Sequence, residues 1–517
     1  MVAKSKRVLP MDSIKNTLRA QSYRRFEVLA VVASLIIGCI GLTKWGVWFD
    51  ESFTIRLIQF DFTEVIRRTA LDVHPPLYYL VLKLWSLAFG FSLFSLRFFG
   101  VLCYALSIFV WGRVARELYN EKIAKLSLLL LVLGPFTLRY AQEIRMYTFA
   151  AIFVGLATLY FIKLYRNPRS FKFASLYVLS VLACLYTHYF SVLFVAVHLG
   201  VILVELIRSA SFQTLKKHRI LISSYAVVAL GFLPWLPTLI SQTKRVTGGF
   251  WIPQISPTTL PDQIARYVFN TDTAQFTELN GDRAGLILTV ALSLVVVSLL
   301  VVIIKSIILK DTKLQLLLGT ALIPPLIVFV LSLPPMTPLF VARYFAYFAP
   351  AFYVGVAAAI ATYIGRRWQP FAYALTLSLF TVGILNSFFV GNYNWHTKTY
   401  ATTEPVAEFL HESVDVSQDG IIVRGAEEYL NTLYYYETTD GHSITTNVYA
   451  QSYDWFNDQF PLLQGDILKV AQIDELPMHY NFAWVVYDCN NAPQIPSEQA
   501  IISSTVINRY CVNKVSL

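Results

Sequence analysis

Two adjacent carboxylates, Asp50 and Glu51, are the residues of this sequence that most clearly point to chemistry, because they follow shortly after its first long apolar segment. Acidic residues are scarce here: the first 390 residues contain 16 Asp and Glu against 37 Lys and Arg. Neighbouring carboxylates beside an apolar phase repel each other and lose hydration, so they need a cationic partner or a function. The alternative is a solvated acidic loop, which is common for an isolated pair.

The composition identifies the class of protein that holds this pair. Hydrophobic residues make up 56% of the chain and charged residues 14%, and the mean hydropathy is +0.54. A soluble protein of 517 residues does not need so much apolar surface, so the sequence predicts a polytopic α-helical membrane protein. The net charge of +10 comes from short basic clusters between apolar segments, which is the positive-inside pattern and excludes the continuous basic face of a nucleic-acid-binding protein.

Eleven apolar segments are long enough to cross a membrane. They are 27–44, 97–113, 123–138, 146–164, 172–187, 189–207, 219–240, 285–306, 314–333, 344–364 and 371–390. A further stretch, 76–91, is short and contains Lys83, and counting it as a span would move the basic loops to the outer side. We therefore expect it to be an amphipathic interfacial helix, with Tyr78, Tyr79 and Trp85 at the level of the lipid headgroups.

This arrangement divides the chain into three parts. Residues 1–26 are predicted to form a basic cytoplasmic amino terminus, followed by a signal anchor that lacks a small-residue cleavage site. Residues 27–390 are predicted to form the transmembrane domain, with a first external loop over 45–96. Residues 391–517 follow the last span and are expected to lie outside the membrane.

The carboxyl-terminal part, residues 391–517, differs in composition from the rest of the chain. It contains 16 acidic residues against five basic ones. Short buried strands are predicted at 420–424 and 482–487, and helices at 405–411 and 427–436. A length of about 125 residues is sufficient for one small α/β domain.

The five cysteines fall into two groups. Cys489 and Cys511 are the only cysteines of the carboxyl-terminal part, and an external compartment would permit a disulfide between them. Cys39, Cys103 and Cys184 lie within or beside predicted spans and are expected to be small core residues. The spacing of Cys and His does not indicate a zinc site.

Polar residues that are unusual in an apolar chain fall mainly on the predicted external side. They are His74 in the first loop, Arg97 at the second span, Glu143, Arg145 and Tyr147 between the third and fourth spans, His188 between the fifth and sixth, Lys244 and Arg245 at the head of a long loop, and Arg343 and Tyr344 at the tenth span. Charges at the hydrocarbon boundary are candidates for function because lipid penalises them. Each alone has a structural alternative, such as a snorkelling arginine or a hydrogen-bonded core histidine. Their shared side favours a common site.

Carboxylates and cations at an outer membrane surface suit a particular chemistry. Cations at the lipid boundary bind an anionic head group, such as a phosphate or diphosphate on a lipid tail. A carboxylate nearby can act as general base on an acceptor hydroxyl or hold a divalent metal ion that orients the phosphate. Glycosyl transfer from a lipid-phosphate sugar needs both elements, because the phosphate leaves C1 with negative charge while a base takes the acceptor proton.

The order of these motifs resembles that of a known superfamily, the GT-C integral-membrane glycosyltransferases. The motifs that carry the resemblance are Asp50-Glu51 after the first span, His74-Pro75-Pro76-Leu77 before the interfacial helix, Leu96-Arg97 at the second span, the stretches 142–147 and 186–189, and Arg343-Tyr344. Within the superfamily the pattern is similar to protein O-mannosyltransferases and to the aminoarabinose transferases that act on lipid A. The likeness covers about residues 20–390.

The resemblance implies roles for the acidic residues. Asp50 would be the catalytic carboxylate of an inverting, direct displacement at C1, with Glu51 assisting acceptor or donor binding. Glu143 would be a second acidic group facing the site. If the enzyme uses a divalent metal ion, Mg²⁺, Mn²⁺ or Zn²⁺, then Asp50 and Glu143 would be its ligands.

The resemblance also implies binding roles for the other polar residues. The carrier phosphate would be held by Arg145, Arg343 and Arg97. The substrate cavity would be lined by His74 and Tyr147, and His188 and Tyr344 would be further substrate-binding residues.

The sequence therefore predicts a membrane glycosyltransferase, hexosyl- or pentosyl-transferring, of the bacterial inner membrane. Its partners would be a polyprenyl-phosphate sugar donor, the bilayer, and an acceptor that is a protein, a lipid or a polysaccharide. Two other classes stay open: a transporter or flippase of lipid-linked substrates, which should carry its charges at the bilayer midplane, and a receptor or scaffold that binds a partner through 391–517.

Overall fold

The computed structural model describes residues 11–44, 46–209, 211–247, 252–389, 403–440, 448–451, 469–471, 473, 476, 480–490 and 500–517. The chain forms two compact units. The helical unit comprises Met1–Ile40 and Arg97–Val390, and the mixed unit comprises Gly41–Leu96 and Gly391–Leu517. The mixed unit thus combines the predicted first external loop with the predicted carboxyl-terminal domain, although these segments are far apart in the sequence.

The α-helices and 3-10 helices of the described residues follow the predicted apolar segments closely. In chain order, the α-helices are α1 (Met11–Cys39), α2 (Phe49–Gln59), α3 (Phe62–Leu71), α4 (Leu77–Phe89), α5 (Leu93–Leu118), α6 (Glu121–Val132), α7 (Pro135–Ala141), α8 (Tyr147–Arg166), α9 (Phe171–Leu185), α10 (Phe194–Ser209), α11 (Phe212–Lys217), α12 (Arg219–Phe232), α13 (Leu236–Thr247), α14 (Thr259–Phe269), α15 (Thr273–Asn280), α16 (Asp282–Ile308), α17 (Thr312–Leu331), α18 (Ala349–Tyr363), α19 (Gln369–Phe389), α20 (Glu404–Ser413) and α21 (Ala426–Asp440). The 3-10 helices are Tyr189–Leu193, Leu233–Trp235 and Ala342–Phe348.

Each of the eleven segments predicted to span the membrane overlaps helical residues. In the described part of the chain, seven helices are long and apolar enough to cross a membrane, or eight if α6 and α7, which meet at 54°, form one broken span. Helices α4 and α9 are apolar but shorter. The polytopic helical class is therefore confirmed, whereas the number of spans counted by length and composition alone is lower than eleven.

Helices α8 and α18 form the centre of the helical unit. Most of their residues are buried, whereas α16 is exposed along almost its whole length. The buried positions of α18 include Ala351, Ala357 and Ala358, and small residues allow neighbouring helices to approach closely. Most of the exposed positions of α16 are Leu, Ile and Val, which suit contact with lipid tails.

Three helices of the helical unit begin with polar caps at the same end of the bundle. Asn120 accepts a hydrogen bond from Ile123 N–H at the start of α6, Ser170 accepts one from Phe173 N–H at α9, and Asp311 accepts one from Leu314 N–H at α17. Such caps satisfy backbone donors that the first turn leaves over. We call this end, where α5, α8 and α10 also finish, the capped end.

The mixed unit contains a six-stranded sheet. Its strands are β1 (Asp419–Val423), β2 (Val448–Gln451), β3 (Lys469–Ala471), β4 (Phe482–Asp488), β5 (Ile501–Ile507) and β6 (Tyr510–Ser516), in the order β3-β2-β1-β4-β6-β5. The first four are parallel to one another, and β6 is antiparallel to both β4 and β5. Strands β1 and β4 and helices α20 and α21 lie where the sequence predicts them, so the small α/β domain is confirmed.

The sheet is held together by an apolar core and by polar contacts at one edge of that core. Ile422, Val485 and Val515 are fully buried in the core. The carboxylate of Asp419, also buried, accepts hydrogen bonds from Trp484 Nε1 at 2.8 Å and Lys514 Nζ at 3.1 Å. A disulfide joins Cys489, just after β4, to Cys511 in β6, with an S–S distance of 2.02 Å.

The expectation for the aromatic residues of α4 is wrong in part. The helix exists and has 13 residues, which are too few to cross the hydrocarbon core. Tyr78 and Tyr79, however, are buried rather than placed for headgroup contact. The exposed face of the helix presents Leu84, Leu87 and Phe89 instead. Helical spacing explains the difference for the leucines, because Leu84 and Leu87 lie on the face opposite to Tyr78 and Tyr79, and Phe89 is the last residue of the helix.

Candidate functional site

The turn between α7 and α8 carries two predicted site residues of the helical unit, Glu143 and Arg145, and a third, Tyr147, is the first residue of α8. All three are buried, and Arg145 is only 3% exposed. Arg145 N–H donates to the Glu143 carbonyl at 2.8 Å, which tightens the turn. Arg139 Nη2 lies 3.3 Å from Glu143 Oε1. Two guanidinium groups and a carboxylate are therefore concentrated in one short, enclosed segment.

The turn is anchored to the end of α1. Gln142 Nε2 donates to the carbonyls of Gly38 and Ile40 at 2.9 and 2.8 Å. The last carbonyls of a helix have no partner within the helix, so the Gln142 amide serves as their cap. This contact fixes the position of the turn at the end of the bundle opposite to the capped end.

A close approach of α5 brings Arg97 to the same end. A Cβ atom on Gly100 would lie 2.6 Å from the Ala141 carbonyl oxygen, so only glycine allows this contact. Thr148 Oγ1 donates to the Gly100 carbonyl at 3.1 Å. Arg97 is one helical turn before Gly100 and is 3% exposed, so its backbone lies beside the α7–α8 turn.

The short turn between α9 and the 3-10 helix Tyr189–Leu193 places His188. Its Nδ1 accepts a hydrogen bond from Phe190 N–H at 3.3 Å and lies 3.1 Å from Tyr347 Oη. Because Nδ1 is an acceptor, the hydrogen of the neutral ring is carried by Nε2. His188 is therefore a buried donor whose orientation is set by the backbone and by Tyr347.

The 3-10 helix Ala342–Phe348 completes the arrangement because it packs against α7, α8 and the 3-10 helix Tyr189–Leu193. The ring of Tyr344 lies edge-on to that of His188, with centroids 4.7 Å apart. Arg343 lies within electrostatic range of the Tyr140 phenol, as do Arg139 and Glu143. The guanidinium group of Arg343 is thus close to the α7–α8 turn.

The helical unit thereby brings together six predicted site residues and two that sequence reasoning missed. We call this group the arginine–tyrosine cluster, and its members are Glu143, Arg145, Tyr147, His188, Arg343, Tyr344, Tyr140 and Tyr347. Tyr140 stacks edge-on against Tyr147, with centroids 4.9 Å apart. Tyr347 follows Tyr344 by three residues, which in a 3-10 helix places both side chains on one face.

The cluster has the composition of an anion site with apolar surroundings. Guanidinium groups bind phosphate oxygens through two parallel hydrogen bonds, and phenol groups add neutral donors. Lipid penalises charges at the boundary of an apolar bundle, so such charges are candidates for function, and Arg145 is the buried cation of this group.

Asp50, Glu51 and His74 belong to the mixed unit. Asp50 and Glu51 lie in the first turn of α2, where carboxylates interact favourably with the helix dipole. Glu51 is fully buried and Asp50 is half-buried. Thr54 Oγ1 donates to the Asp50 carbonyl at 2.7 Å, which stiffens the turn. The dipole explains why acids are tolerated here, but it does not explain why Glu51 is removed from water.

The loop before α4 places His74 against an acid. His74 Nδ1 lies 3.3 Å from Asp72 Oδ2, and the ring is buried. In the preceding helix α3, Glu64 pairs with Arg67 and Arg68 at 2.7 Å each. Hydrogen bonds from these two arginines lower the pKa of Glu64 to about 2. Glu64 is therefore ionised and engaged at neutral pH, so it serves to hold α3 rather than to move protons.

The described residues can be examined for side chains that would hold a metal ion. Among these residues, no group of three or more His, Cys, Asp or Glu side chains is placed to hold a metal ion. Metal sites with only one or two protein carboxylates rely on substrate phosphates for further ligands. The described residues therefore do not fit a resident metal centre built by the protein alone.

Comparison with known proteins supports the resemblance seen in the motifs. Residues 73–237 match the family described as dolichyl-phosphate-mannose-protein mannosyltransferase. This segment includes His74, Arg97, Glu143 and His188. No curated protein sequence matches the chain.

Solved structures with a similar fold include ArnT from Cupriavidus metallidurans. In its complex with undecaprenyl phosphate it superposes with a TM-score of 0.61 and 11% identity over 94% of this chain and 97% of that one. The apo state gives 0.58 with the same identity and coverage. An Archaeoglobus fulgidus oligosaccharyltransferase, in complex with Zn and sulfate, covers 90% of this chain and 68% of its own at 12% identity, with a TM-score of 0.47. The two ArnT structures show that this chain shares their fold.

Proposed function

We propose that this chain, which has the fold of the GT-C integral-membrane glycosyltransferases, transfers one sugar from a polyprenyl-phosphate-linked donor to an acceptor outside the membrane. The acceptor is a protein, a lipid or a polysaccharide, and the sugar is a hexose or a pentose. The amino terminus lies in the cytoplasm of a bacterial cell, and the mixed unit lies on the outer side of the inner membrane.

The observation that carries the proposal is the arginine–tyrosine cluster at one end of an apolar bundle. A polyprenyl phosphate has a tail that is soluble only in lipid and a head group that requires cations. The exposed apolar helices supply surroundings for the tail, and Arg145 and Arg343 supply the cations. The complex of ArnT with undecaprenyl phosphate supports the same class of carrier.

The opposite, capped end supports the orientation. Arg116, Arg166 and Lys217 lie there and form ion pairs with Glu121, Glu117 and Glu205. Basic residues beside spans are retained on the cytoplasmic side. The arginine–tyrosine cluster would therefore face outward.

In the proposed reaction Asp50 acts as general base. Its carboxylate takes the proton of the acceptor hydroxyl while the acceptor oxygen forms a bond to C1 of the sugar. The bond from C1 to the phosphate oxygen breaks, and its electron pair stays with the carrier phosphate. Attack and departure on opposite faces of the ring invert the configuration at C1.

The leaving phosphate is stabilised by the cations of the helical unit. We assign Arg145, Arg343 and Arg97 to this role, because charge that develops on the leaving oxygen is best met by donors already in position. Tyr147, His188 and Tyr344 would bind neutral hydroxyl groups of the donor. Glu51 and His74 would assist binding, and Glu143 would contact the sugar.

No step in this mechanism passes through a metal ion. The described residues do not offer a three-ligand group, so the phosphate charge is assigned to the arginines. The proposal therefore depends on a carboxylate and cations that the chain itself supplies.

The test is single-turnover transfer with purified, detergent-solubilised protein and a panel of radiolabelled undecaprenyl-phosphate hexoses and pentoses. We expect release of sugar from one donor to acceptor or water, and a loss of about 10² to 10⁴-fold in Asp50→Asn, as for removal of a general base. Asp61→Asn is the matched control. Asp61 is an exposed cap of α3 in the same loop, and Asn caps equally well.

Full activity of Asp50→Asn would remove Asp50 from the reaction. If no donor is turned over and none raises the thermal stability of the protein, the transporter class becomes the better account.

A further inference from the structure

The start of α2, which carries Asp50 and Glu51, is held by residues from the far end of the chain. Trp48 precedes the helix in an extended conformation, and its indole cannot accept the hydrogen bonds that a capping side chain accepts. Support for this turn from outside α2 comes from within the mixed unit. Helix α21 packs against α2 within the mixed unit and supplies that support.

Two hydrogen bonds from α21 flank the acidic pair. Val47 N–H donates to Tyr435 Oη at 2.6 Å, on the amino-terminal side. Ser52 Oγ donates to Asn431 Oδ1 on the carboxyl-terminal side. Asn431 and Tyr435 are four residues apart, so both side chains lie on one face of α21. Both are buried, which makes these hydrogen bonds stronger than exposed ones.

Helix α21 is in turn fixed to the carboxyl-terminal sheet. It packs against α20, β1 and β2. Tyr429, Leu430 and Tyr436 are almost fully buried. His411 of α20 stacks on the ring of Tyr436 at 4.2 Å, and its Nε2 lies 2.9 Å from the Tyr436 carbonyl oxygen. These contacts fix α21 relative to the sheet, and they thereby fix the face of α21 that contacts α2.

The other end of α2 is fixed by α4. Lys83 Nζ, which is buried, donates to the Ile58 carbonyl at 3.0 Å. A cation at the last carbonyls of a helix is favourable with respect to its dipole. Helix α2 is therefore held at both ends, by α21 at the acidic turn and by α4 at the opposite turn.

We propose that Asn431 and Tyr435 are positioning residues for Asp50, so that the carboxyl-terminal domain is a working part of the catalytic apparatus. This inference rests on the proposed function, in which Asp50 is the general base. A base must lie within hydrogen-bonding reach of the proton that it takes, and a displacement of about 1 Å can reduce a rate by about 10²-fold. The two hydrogen bonds oppose such a displacement of the turn that carries Asp50.

The first test measures the contact itself. We expect hydrogen exchange of the peptide 46–53 to be faster in Tyr435→Phe than in the wild type, because the Val47 amide loses its acceptor. Tyr487→Phe is the matched control. It removes a buried phenol of the same domain, which accepts a hydrogen bond from Asn513 Nδ2 at 2.9 Å on β6. Equal exchange in the two variants would overturn the assignment of the contact.

The second test measures turnover with the undecaprenyl-phosphate sugar that the wild-type protein uses. We expect Tyr435→Phe and Asn431→Ala each to lower kcat about tenfold or more, with the KM for the donor unchanged. Tyr487→Phe should keep the wild-type kcat at a similar loss of thermal stability. In a double-mutant cycle, Ser52→Ala and Asn431→Ala together should cost no more than one of them alone.

The outcomes separate this inference from the proposed function. If Asp50→Asn is inactive while Tyr435→Phe and Asn431→Ala behave like Tyr487→Phe, positioning by α21 is refuted and the role of Asp50 stands. If Asp50→Asn is fully active, the proposed function fails, and the hydrogen-exchange result alone decides whether α21 holds the turn. A fall in kcat with additive effects in the cycle would refute the Ser52–Asn431 pathway.

Discussion

The two ends of the helical unit treat their charges in opposite ways. At the capped end, cations lie at the surface and meet carboxylates: Arg166 Nη1 lies 2.5 Å from Glu117 Oε1, with side chains 43% and 30% exposed. At the other end, Arg97 and Arg145 are each 3% exposed. At the first end α6 and α9 begin with exposed or half-buried polar caps, whereas at the second end Glu143 and His188 lie in tight buried turns, and the buried His188 caps the 3-10 helix Tyr189–Leu193.

Basic residues beside apolar segments therefore occur for two different reasons at the two ends of the helical unit. Cations at the capped end can keep their hydration, and surface pairs of this kind contribute about 0–1 kcal/mol to stability. They serve topology, since basic residues stay on the cytoplasmic side. Arg97 and Arg145, each 3% exposed, have lost most of their hydration, and dehydration costs several kcal/mol per ion. Contacts within the protein offset part of this cost, and charges buried in this way are candidates for function.

The largest expected difference between the ends is in donor binding. Arg343→Ala should weaken the apparent affinity for the undecaprenyl-phosphate donor about 10- to 100-fold, because a hydrogen bond to a charged group contributes about 1.5–3 kcal/mol. The measurement is the donor concentration dependence of transfer, with Arg166→Ala as the matched control from the capped end. Unchanged donor dependence in Arg343→Ala would remove this residue from the phosphate site. Arg343 and Arg166 would then not differ in donor binding.

A second comparison uses two glycines of α5, one towards each end. A Cβ on Gly100 would meet the backbone carbonyl of Ala141 at 2.6 Å, whereas a Cβ on Gly112 would meet the Leu128 side chain at 2.7 Å. A side chain can change rotamer, but the α7–α8 turn cannot yield without moving Glu143 and Arg145. Gly100→Ala should therefore destabilise the protein by about 1–3 kcal/mol and reduce transfer.

Gly112→Ala is expected to cost less than about 1 kcal/mol, because alanine also favours the helix. Thermal unfolding in the same detergent measures both variants. Equal shifts in Tm would show that the α7–α8 turn is as adaptable as the capped end.

The sequence allowed the class, the helices and much of the cluster to be predicted, because these depend on local pattern and on polarity that is unusual for its position. Glu143, Arg145, His188 and Arg343 are conspicuous in apolar surroundings, and the structure brings them to one end of one unit. Tyr140 and Tyr347 carry no such signal. The chain has 30 tyrosines, so only the packing of the 3-10 helix Ala342–Phe348 distinguishes these two.

Two features could not be predicted from local pattern. The association of 41–96 with the carboxyl-terminal segment depends on contacts such as that of Ser52 with Asn431, which are 379 residues apart. The faces of α4 were assigned wrongly because tyrosines at a membrane boundary usually sit at headgroups. Here, burial of Lys83 against α2 turns Tyr78 and Tyr79 inward and leaves leucines outward.

The smallest expected effect is that of a substitution at the capped end. It tests whether the charges there serve only to set the orientation of the protein in the membrane. Arg166→Ala removes a partly exposed ion pair with Glu117, so it should lower the free energy of unfolding by no more than about 1 kcal/mol, and less at high salt. Donor dependence and kcat should match those of the wild type. Denaturation of the purified protein at low and high salt, followed by the transfer assay, measures both quantities. A large loss of transfer would mean that the capped end takes part in catalysis. The two ends would then differ in the burial of their charges but not in whether those charges serve the reaction.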